Sequence, residues 1–447
     1  MNKRLLIKLL LTAGVLIVLL IPLAMLDGLV AERQARGSAV AAEIARSSGG
    51  VQTVIGPMLL IEGVKTLRKQ RSVSENGTLR QIEESERVEE RRLLFPTSLK
   101  VEASANSERR SRGPFAVSIF HSKQSLSAEF APPTRVPSDE DETDYRVKRV
   151  SLVLAIGDTR GIGAVQWRVN NQLLEVLPGG VIPGLPSGIV AELPSQHWQD
   201  QALQVEVSLS LAGTERLAWL PLADANQLAL QSDWPHPGFS GAFLPSERKI
   251  DDAGFSAQWQ VSRLASDAQQ QLLRCLDGET GCFGLQAAAV GVNFVDPVDR
   301  YLMTERAIKY ALLMLALVFG AVFFVEMLRA LEVHVMQYGL TGLALAIFFL
   351  LLLALSEHLG FALAYGVAAL ACGSLISYYM SPALGGARAT VGFSSLLFGL
   401  YLLLYFVLSA EDTALLVGSV ALFGLLAAVM VMSRRLNWNR VGVAAND

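Results

Sequence analysis

This 447-residue chain lacks an excess of either charge: 38 Lys and Arg stand against 41 Asp and Glu, a net charge of −3. Without a basic surplus there is no electrostatic footprint for nucleic acid, and no such partner is expected. Histidine and cysteine are scarce, five and three. They are also scattered, with no C-x-x-C or H-x-x-x-H spacing, so no metal or other cofactor is expected. The G-x-S-x-G elbow of many hydrolases is missing. His121, His197 and His236 could enter a nucleophile triad only if folding assembled one, because their spacing supports none. No catalytic set is expected.

Hydrophobic residues are plentiful, 51% of the chain, and they crowd the first 30 and the last 140 or so positions. That distribution is the mark of membrane spans joined to a water-soluble middle. Residues 301–328, YLMTERAIKYALLMLALVFGAVFFVEML, form the junction: polar at Thr304, Glu305, Arg306 and Lys309, then uncharged from Tyr310 to Val325. Four later runs, 338–356, 360–379, 389–409 and 413–432, carry no charge and have spanning length. At the other end, Lys3, Arg4 and Lys8 precede the run LLLTAGVLIVLLIPLAML. It is longer than the apolar core of a signal peptide, and Met25 and Leu26 sit where a cleavage site wants small residues. Residues 1–28 are therefore expected to be an uncleaved anchor bent near Pro22, with a short amphipathic linker helix over 29–50 stopped by Gly49-Gly50. Six spans result.

Lysine and arginine orient them. Lys3, Arg4, Lys8, Arg329, Arg388, Arg434, Arg435 and Arg440 fall on one side; the short segments 356–360 and 409–413 on the other contain none. The positive side is cytoplasmic, so both termini face the cytoplasm and the middle region lies outside.

From 51 to 300 the pattern changes to alternating or β-branched runs such as RVSLVLAIGD, AVQWRVN and LQVEVSLSLAG, punctuated by Gly, Pro, Asn and Asp. An α + β membrane protein is predicted: a large, mainly antiparallel, sandwich-like β domain over 51–300, a five-helix domain over 301–433, and a tail over 434–447. The charged stretches 83–92 and 138–144 read as solvated loops or edges.

Six stretches, GPMLLI (56–61), GDTRGIG (157–163), SDWPHPGFSGAFLPSERKI (232–250), TERAIKYALL (304–313), MQYGLTGL (336–343) and LLLALSEHLGF (351–361), together resemble the CreD family of bacterial inner-membrane, cell envelope integrity proteins. The resemblance implies a multi-pass protein of the Gram-negative inner membrane with a periplasmic domain. It also implies expression tied to a two-component system and a link to colicin and β-lactam tolerance. It brings no catalytic residues.

Several local features carry two readings. GDTRGIG follows a strand as a phosphate loop would, but no Lys-Ser/Thr pair follows, and it reads as a hairpin turn that needs glycine backbone angles; alternatively it exposes Arg160 for binding. Trp234-Pro235-His236-Pro237 is a stiff corner, either packing Trp234 into the core or presenting Trp234 and His236 to a periplasmic partner. Ser356 could cap a following helix with Glu357 in its first turn; alternatively Glu357 and His358 form a proton-accepting pair at the outer membrane face. Glu326 either reaches the interface, pairs with Arg329, or is buried between helices. Cys275 and Cys282, in CLDGETGC, are expected to form a disulfide across a tight reversal in an oxidising compartment, pinning a hairpin. Cys372 lies in a span. The reading that follows is a non-enzymatic envelope-integrity protein in contact with the bilayer and an unidentified periplasmic or membrane partner, its oligomeric state open. The rivals are a transporter or lipid-handling protein, a membrane-tethered periplasmic hydrolase, and a ligand sensor.

Overall fold

The computed structural model describes residues 3–75, 78–132, 144–179, 185, 188–194, 201–276, 282, 284–294, 300–329, 333–409, 416, 418–420, 423–424, 427 and 430. The chain divides into two compact units, Met1–Ser38 with Val298–Asp447, and Ala39–Pro297.

The chain begins with one helix, α1 (Lys3–Ser48), which continues through Pro22. The expected separation into anchor and linker helix is absent. Leu19, Leu23, Leu26 and Val30 form a buried stripe at helical spacing on both sides of the proline, so packing holds the helix where one backbone hydrogen bond is lost. The helix does stop at Gly49, whose φ of 92° suits only glycine without strain.

The second unit follows as β1 (Gln52–Glu75), β2 (Thr78–Leu94), β3 (Ser98–Arg112), β4 (Phe115–Phe130), β5 (Asp144–Ile156), β6 (Ile162–Val169), β7 (Gln172–Leu174), β8 (Leu177–Gly179), β9 (Gly188–Leu193), β10 (Leu203–Thr214), β11 (Arg216–Leu220), β12 (Ala225–Ser232), β13 (Gly238–Gly241), β14 (Glu247–Asp251) and β15 (Gly254–Ser262). Helices α2 (Ala268–Leu276) and α3 (Gly284–Ala288) precede a last strand, β16 (Val290–Asn293). One sheet runs β13-β16-β11-β1-β5-β9-β8 with β2 on β1; the other runs β14-β15-β12-β3-β4-β10-β6-β7. Most pairs are antiparallel, but β1–β11 and β12–β3 are parallel, so both sheets are mixed.

The inner faces of the two sheets share one core, including Leu59, Phe120, Leu152, Trp167, Val207, Trp219, Trp259 and Phe294. A buried polar chain crosses it: Trp219 Nε1 donates to Gln124 Oε1 at 2.9 Å, Gln124 Nε2 to Ser122 Oγ at 3.0 Å, and Ser122 Oγ to Leu211 O at 2.9 Å. Each link satisfies a group that burial would otherwise penalise. The first sheet is covered on its other face too. Ile55, Met58, Leu60, Val153, Ala155 and Leu220 pack under Leu272 of α2 and Leu285 and Ala288 of α3. That is why β1 is buried without alternation from Gln52 to Ile61. A register shift between Ile55 and Met58 switches side-chain parity there, putting Val54 and Leu59 into the same core.

Three local expectations are resolved by the structure. The charged stretch 83–92 lies on β2, which among the described residues pairs with β1 alone, so of the two readings it is an edge and not a loop. Its charges pair across strands: Glu62 on β1 lies between Arg91 of β2, at 3.1 Å, and Arg149 of β5, and Lys148 Nζ donates to Glu89 at 2.8 Å. Secondly, GDTRGIG is not a hairpin turn. It passes from β5 in one sheet to β6 in the other through a 3-10 turn, Thr159–Gly161, capped by Asp158. Thirdly, Cys275 and Cys282 are joined by the expected disulfide, with Cα atoms 5.0 Å apart, and the reversal it pins is the one between α2 and α3. The stretch 138–143 and His197 lie outside the described residues.

The first unit contains α1 to Ser38, α4 (Arg300–Lys309), α5 (Ala311–Arg329), α6 (Val335–Leu359), α7 (Phe361–Met380) and α8 (Ala387–Ser409). Among the described residues four helices, α1, α6, α7 and α8, are long and apolar enough to cross a membrane, and a bent pair, Tyr301–Lys309 with Ala311–Phe323, makes five if it counts as one span. The expected single junction helix is thus broken by 44°. At the break Tyr310 N bonds Ala307 O, a tightened i to i−3 link at 3.1 Å. The expected sixth span, 413–432, and the tail 434–447 lie largely or wholly outside the described residues.

Candidate functional site

Two polar belts mark the helical unit. The first is built on Glu326, the carboxylate that follows the apolar run of α5 near its end. Glu326 is only 8% exposed. Its carboxylate pairs with Lys8 Nζ of α1, accepts from Tyr338 OH of α6 at 3.0 Å and accepts from Val333 N at 3.3 Å. Phe319 packs edge-on against the Tyr338 ring, centroids 5.4 Å apart, fixing the phenol's direction. Of the three sequence readings of Glu326, burial between helices is the one the structure displays. Its partner is Lys8, which sequence reasoning used only as an orienting charge. The Arg329 side chain lies outside the described residues.

The second belt joins α1, α4 and α6. Glu357 Oε1 accepts from Tyr301 OH at 3.3 Å and lies 3.5 Å from Arg33 Nη1. Nearby, Glu305 accepts from Gln34 Nε2 at 3.0 Å and from Lys309 Nζ at 2.7 Å. Here the capping expectation is corrected. Ser356, Glu357 and His358 belong to the last turn of α6, Ser356 Oγ donates back to Leu353 O, and Gly360 with φ 75° ends the helix. Glu357 is engaged by Tyr301 and Arg33, while His358 is exposed, so the two do not form an isolated pair. On α6, Tyr338 and Glu357 are 19 residues apart, about 28 Å along the axis. That rise is close to the roughly 30 Å of a hydrocarbon core. Lys8 and Arg33 on α1 flank the same layer.

Between the belts the core is aromatic and apolar. Tyr365 OH donates to Tyr401 O at 2.6 Å, and Phe348 packs against both rings at 5.4 and 4.7 Å. Sequence reasoning, which looked for charges in the spans, passed over these tyrosines.

In the sheet unit, Trp234 is half-buried against the core, its ring edge-on to Phe294 with centroids 6.4 Å apart. Its Nε1 donates to His236 O at 2.8 Å, and the His236 side chain is exposed. The W-P-H-P segment therefore closes on itself as a corner. Arg160 does not stand free: it bonds Asp158 at 2.6 and 2.9 Å and Arg46 O at 2.8 Å. Asp158 also accepts from Gly50 N at 2.9 Å. Arg160 beside it, with these backbone donors, holds the Asp158 carboxyl well below the usual range, at about 2.

Neither His121 nor the Ser246-Lys249 pair is set up as a nucleophile site. His121 Nε2 meets Glu108 at 3.1 Å, but Ser122 Oγ turns to Leu211 O. One S-x-x-K spacing escaped the sequence reading, Ser246 to Lys249. It lies at edge strand β14, where Ser246 Oγ donates to Gln258 O at 3.1 Å and Lys249 is 3.7 Å from Asp251. Among the described residues no three His, Cys, Asp or Glu side chains converge as a metal ion would need.

A helical unit with membrane-length apolar helices, attached to a large two-sheet domain, defines a membrane protein of α + β construction. The chain belongs to the family described as inner membrane protein CreD, whose family model matches residues 4–439. The inner membrane protein CreD of Escherichia coli (strain K12) is 34% identical over 430 residues, covering 95% of this chain and 92% of that one. Among solved structures, the crystal structure of M1 zinc metallopeptidase from Deinococcus radiodurans aligns over 37% of this chain and 38% of that one, at 9% identity and a TM-score of 0.22. A point mutant of that enzyme aligns at 11% identity and the same TM-score. Likeness this slight carries no argument.

Proposed function

We propose that this chain is a non-enzymatic inner-membrane protein that supports cell-envelope integrity, with its sheet unit in the periplasm and both termini in the cytoplasm. The observation that carries the placement is the pair of polar belts on α6, about 28 Å apart, with apolar surface between them. The Lys/Arg asymmetry supports the orientation, and the Cys275–Cys282 disulfide suits an oxidising compartment. The envelope role rests on membership of the family. A transporter would want polar groups poised near mid-membrane; Glu326 instead lies near one end of α5 with its carboxylate engaged by three partners.

Two measurements test this. Reporter fusions after Arg160 should behave as periplasmic and fusions after Arg440 as cytoplasmic; the opposite result at either point overturns the placement. Deletion of the gene should raise detergent sensitivity and leakage of a periplasmic marker, reversed by the full chain. A deletion strain with an intact permeability barrier and unchanged β-lactam and colicin tolerance would refute the envelope role.

A further inference from the structure

The outer face of the second sheet contains a trough whose chemistry is specific. Strand register across β3, β4, β10 and β6 sets Glu102, Ser125, Ser208 and Gln166 in one row, and Ser104, Lys123 and Ser210 in the next. The short serines lie between longer side chains, and the result is two adjoining hollows of about 490 and 300 Å³ that share Ser104, Lys123 and Ser210. That is the size of a site for a small ligand or a few sugar rings.

The charges around it decide what it suits. Glu102 is paired with Lys100 at 2.7 Å, and His121 with Glu108 at 3.1 Å. Lys123 lies in both hollows, its cross-strand neighbours Ser104 and Ser210, and among the described residues it has no ion pair. One uncompensated ammonium thus stands in a field of hydroxyls and amides, with His121 at one end and no Phe, Tyr or Trp among the lining residues of either hollow. A nucleic acid or a phosphorylated lipid would ask for several cations. An extended peptide would ask for a free strand edge, and a helix for an apolar groove. A single carboxylate on a polyhydroxylated chain matches what is present, since serine hydroxyls both donate and accept.

We propose that this trough binds a carboxylate-bearing oligosaccharide, with the carboxylate on Lys123 and ring hydroxyls on Ser104, Ser125, Ser208 and Ser210. The inference concerns binding chemistry and holds whichever side of the membrane the sheet unit occupies, so it stands or falls apart from the envelope role.

Isothermal titration of the full chain in detergent tests it with three probes: oligogalacturonate, a glycan strand alternating N-acetylglucosamine with N-acetylmuramic acid, and a neutral N-acetylglucosamine oligomer. At least one acidic glycan should bind about tenfold more tightly than the neutral one, and the tighter acidic probe reveals the source of the ligand. Lys123→Gln should erase the difference. Ser125→Leu, which fills the hollow from an exposed strand position, should weaken all binding at an unchanged melting temperature. Saturable binding by neither acidic glycan overturns the proposal, as does acidic-glycan binding that both variants leave intact.

Discussion

Replacing Lys8 with methionine is the sharpest test of how the helical unit is held together. Glu326 is nearly buried, its side chain 9% exposed, whereas that of Lys8 is 26% exposed. Removing one partner of a fully buried pair destabilises by about 3–5 kcal/mol, because the remaining charge is left uncompensated. Solvent reaches Lys8, and Tyr338 OH and Val333 N would still bond the carboxylate, so about 2–3 kcal/mol is the expected loss for Lys8→Met. Glu326→Leu alone should lose a similar amount through the stranded Tyr338 hydroxyl and Val333 amide. The double variant should recover much of it, since an apolar pair of similar volume needs no compensation. Cys372 provides the readout. It is buried in α7, and with Cys275 and Cys282 disulfide-bonded it is the free thiol of the chain. Its alkylation rate in detergent without reductant follows opening of the helical unit, and 2–3 kcal/mol corresponds to an increase of about 30- to 150-fold for Lys8→Met. If the two single variants and the double simply add, Lys8 and Glu326 are not coupled and the belt is not the bond that joins α1 to α5.

Other outcomes follow from the sheet unit. Trp234→Ala, which removes a half-buried ring from beside Phe294, should lower stability by about 2 kcal/mol, whereas His236→Ala should leave it unchanged; equal melting temperatures for both would return the W-P-H-P corner to a recognition role. Replacing both Cys275 and Cys282 with alanine should cost about 2 kcal/mol, the low end for a short loop, and should raise hydrogen exchange in α2 and α3 before the strands of the shared core. Asp158 has its folded pKa depressed to about 2 from 3.8, so its contribution is present above about pH 4 and is lost as pH falls through 2. The full shift would amount to about 2 kcal/mol, and solvent screening reduces it to about 1. Acid titration of unfolding should therefore be shallower for Asp158→Asn between pH 4 and 2; a wild-type slope in that variant would refute the linkage.

Much of this architecture was legible in the residues, and the exceptions share a cause. Apolar length alone marked α1, α6, α7 and α8, because a span needs only its own composition and its own backbone hydrogen bonds. Alternation marked LQVEVSLSLAG as a strand because one of its faces is solvated. It could not mark the extent of β2, whose polar residues 83–92 are ordered by partners on β1 and β5 that are distant in sequence. Likewise GDTRGIG carried a turn in its glycines, but nothing local tells whether the next strand joins the same sheet or the facing one. That choice is made by the core both sheets share.

Sequence by itself determined where the apolar helices α1, α6, α7 and α8 lie, which side the flanking cations favour, which middle segments are extended, and that Cys275 and Cys282 could meet. These are properties of composition and short-range spacing. Tertiary structure alone decided that Glu326 is buried against Lys8 and Tyr338, that Glu357 is tied to Arg33 and Tyr301, and that α1 runs unbroken past Pro22. It also decided that serines from separate strands flank Lys123 in one trough. Each of these depends on contacts between residues far apart in the chain, whose energies no local window of sequence contains.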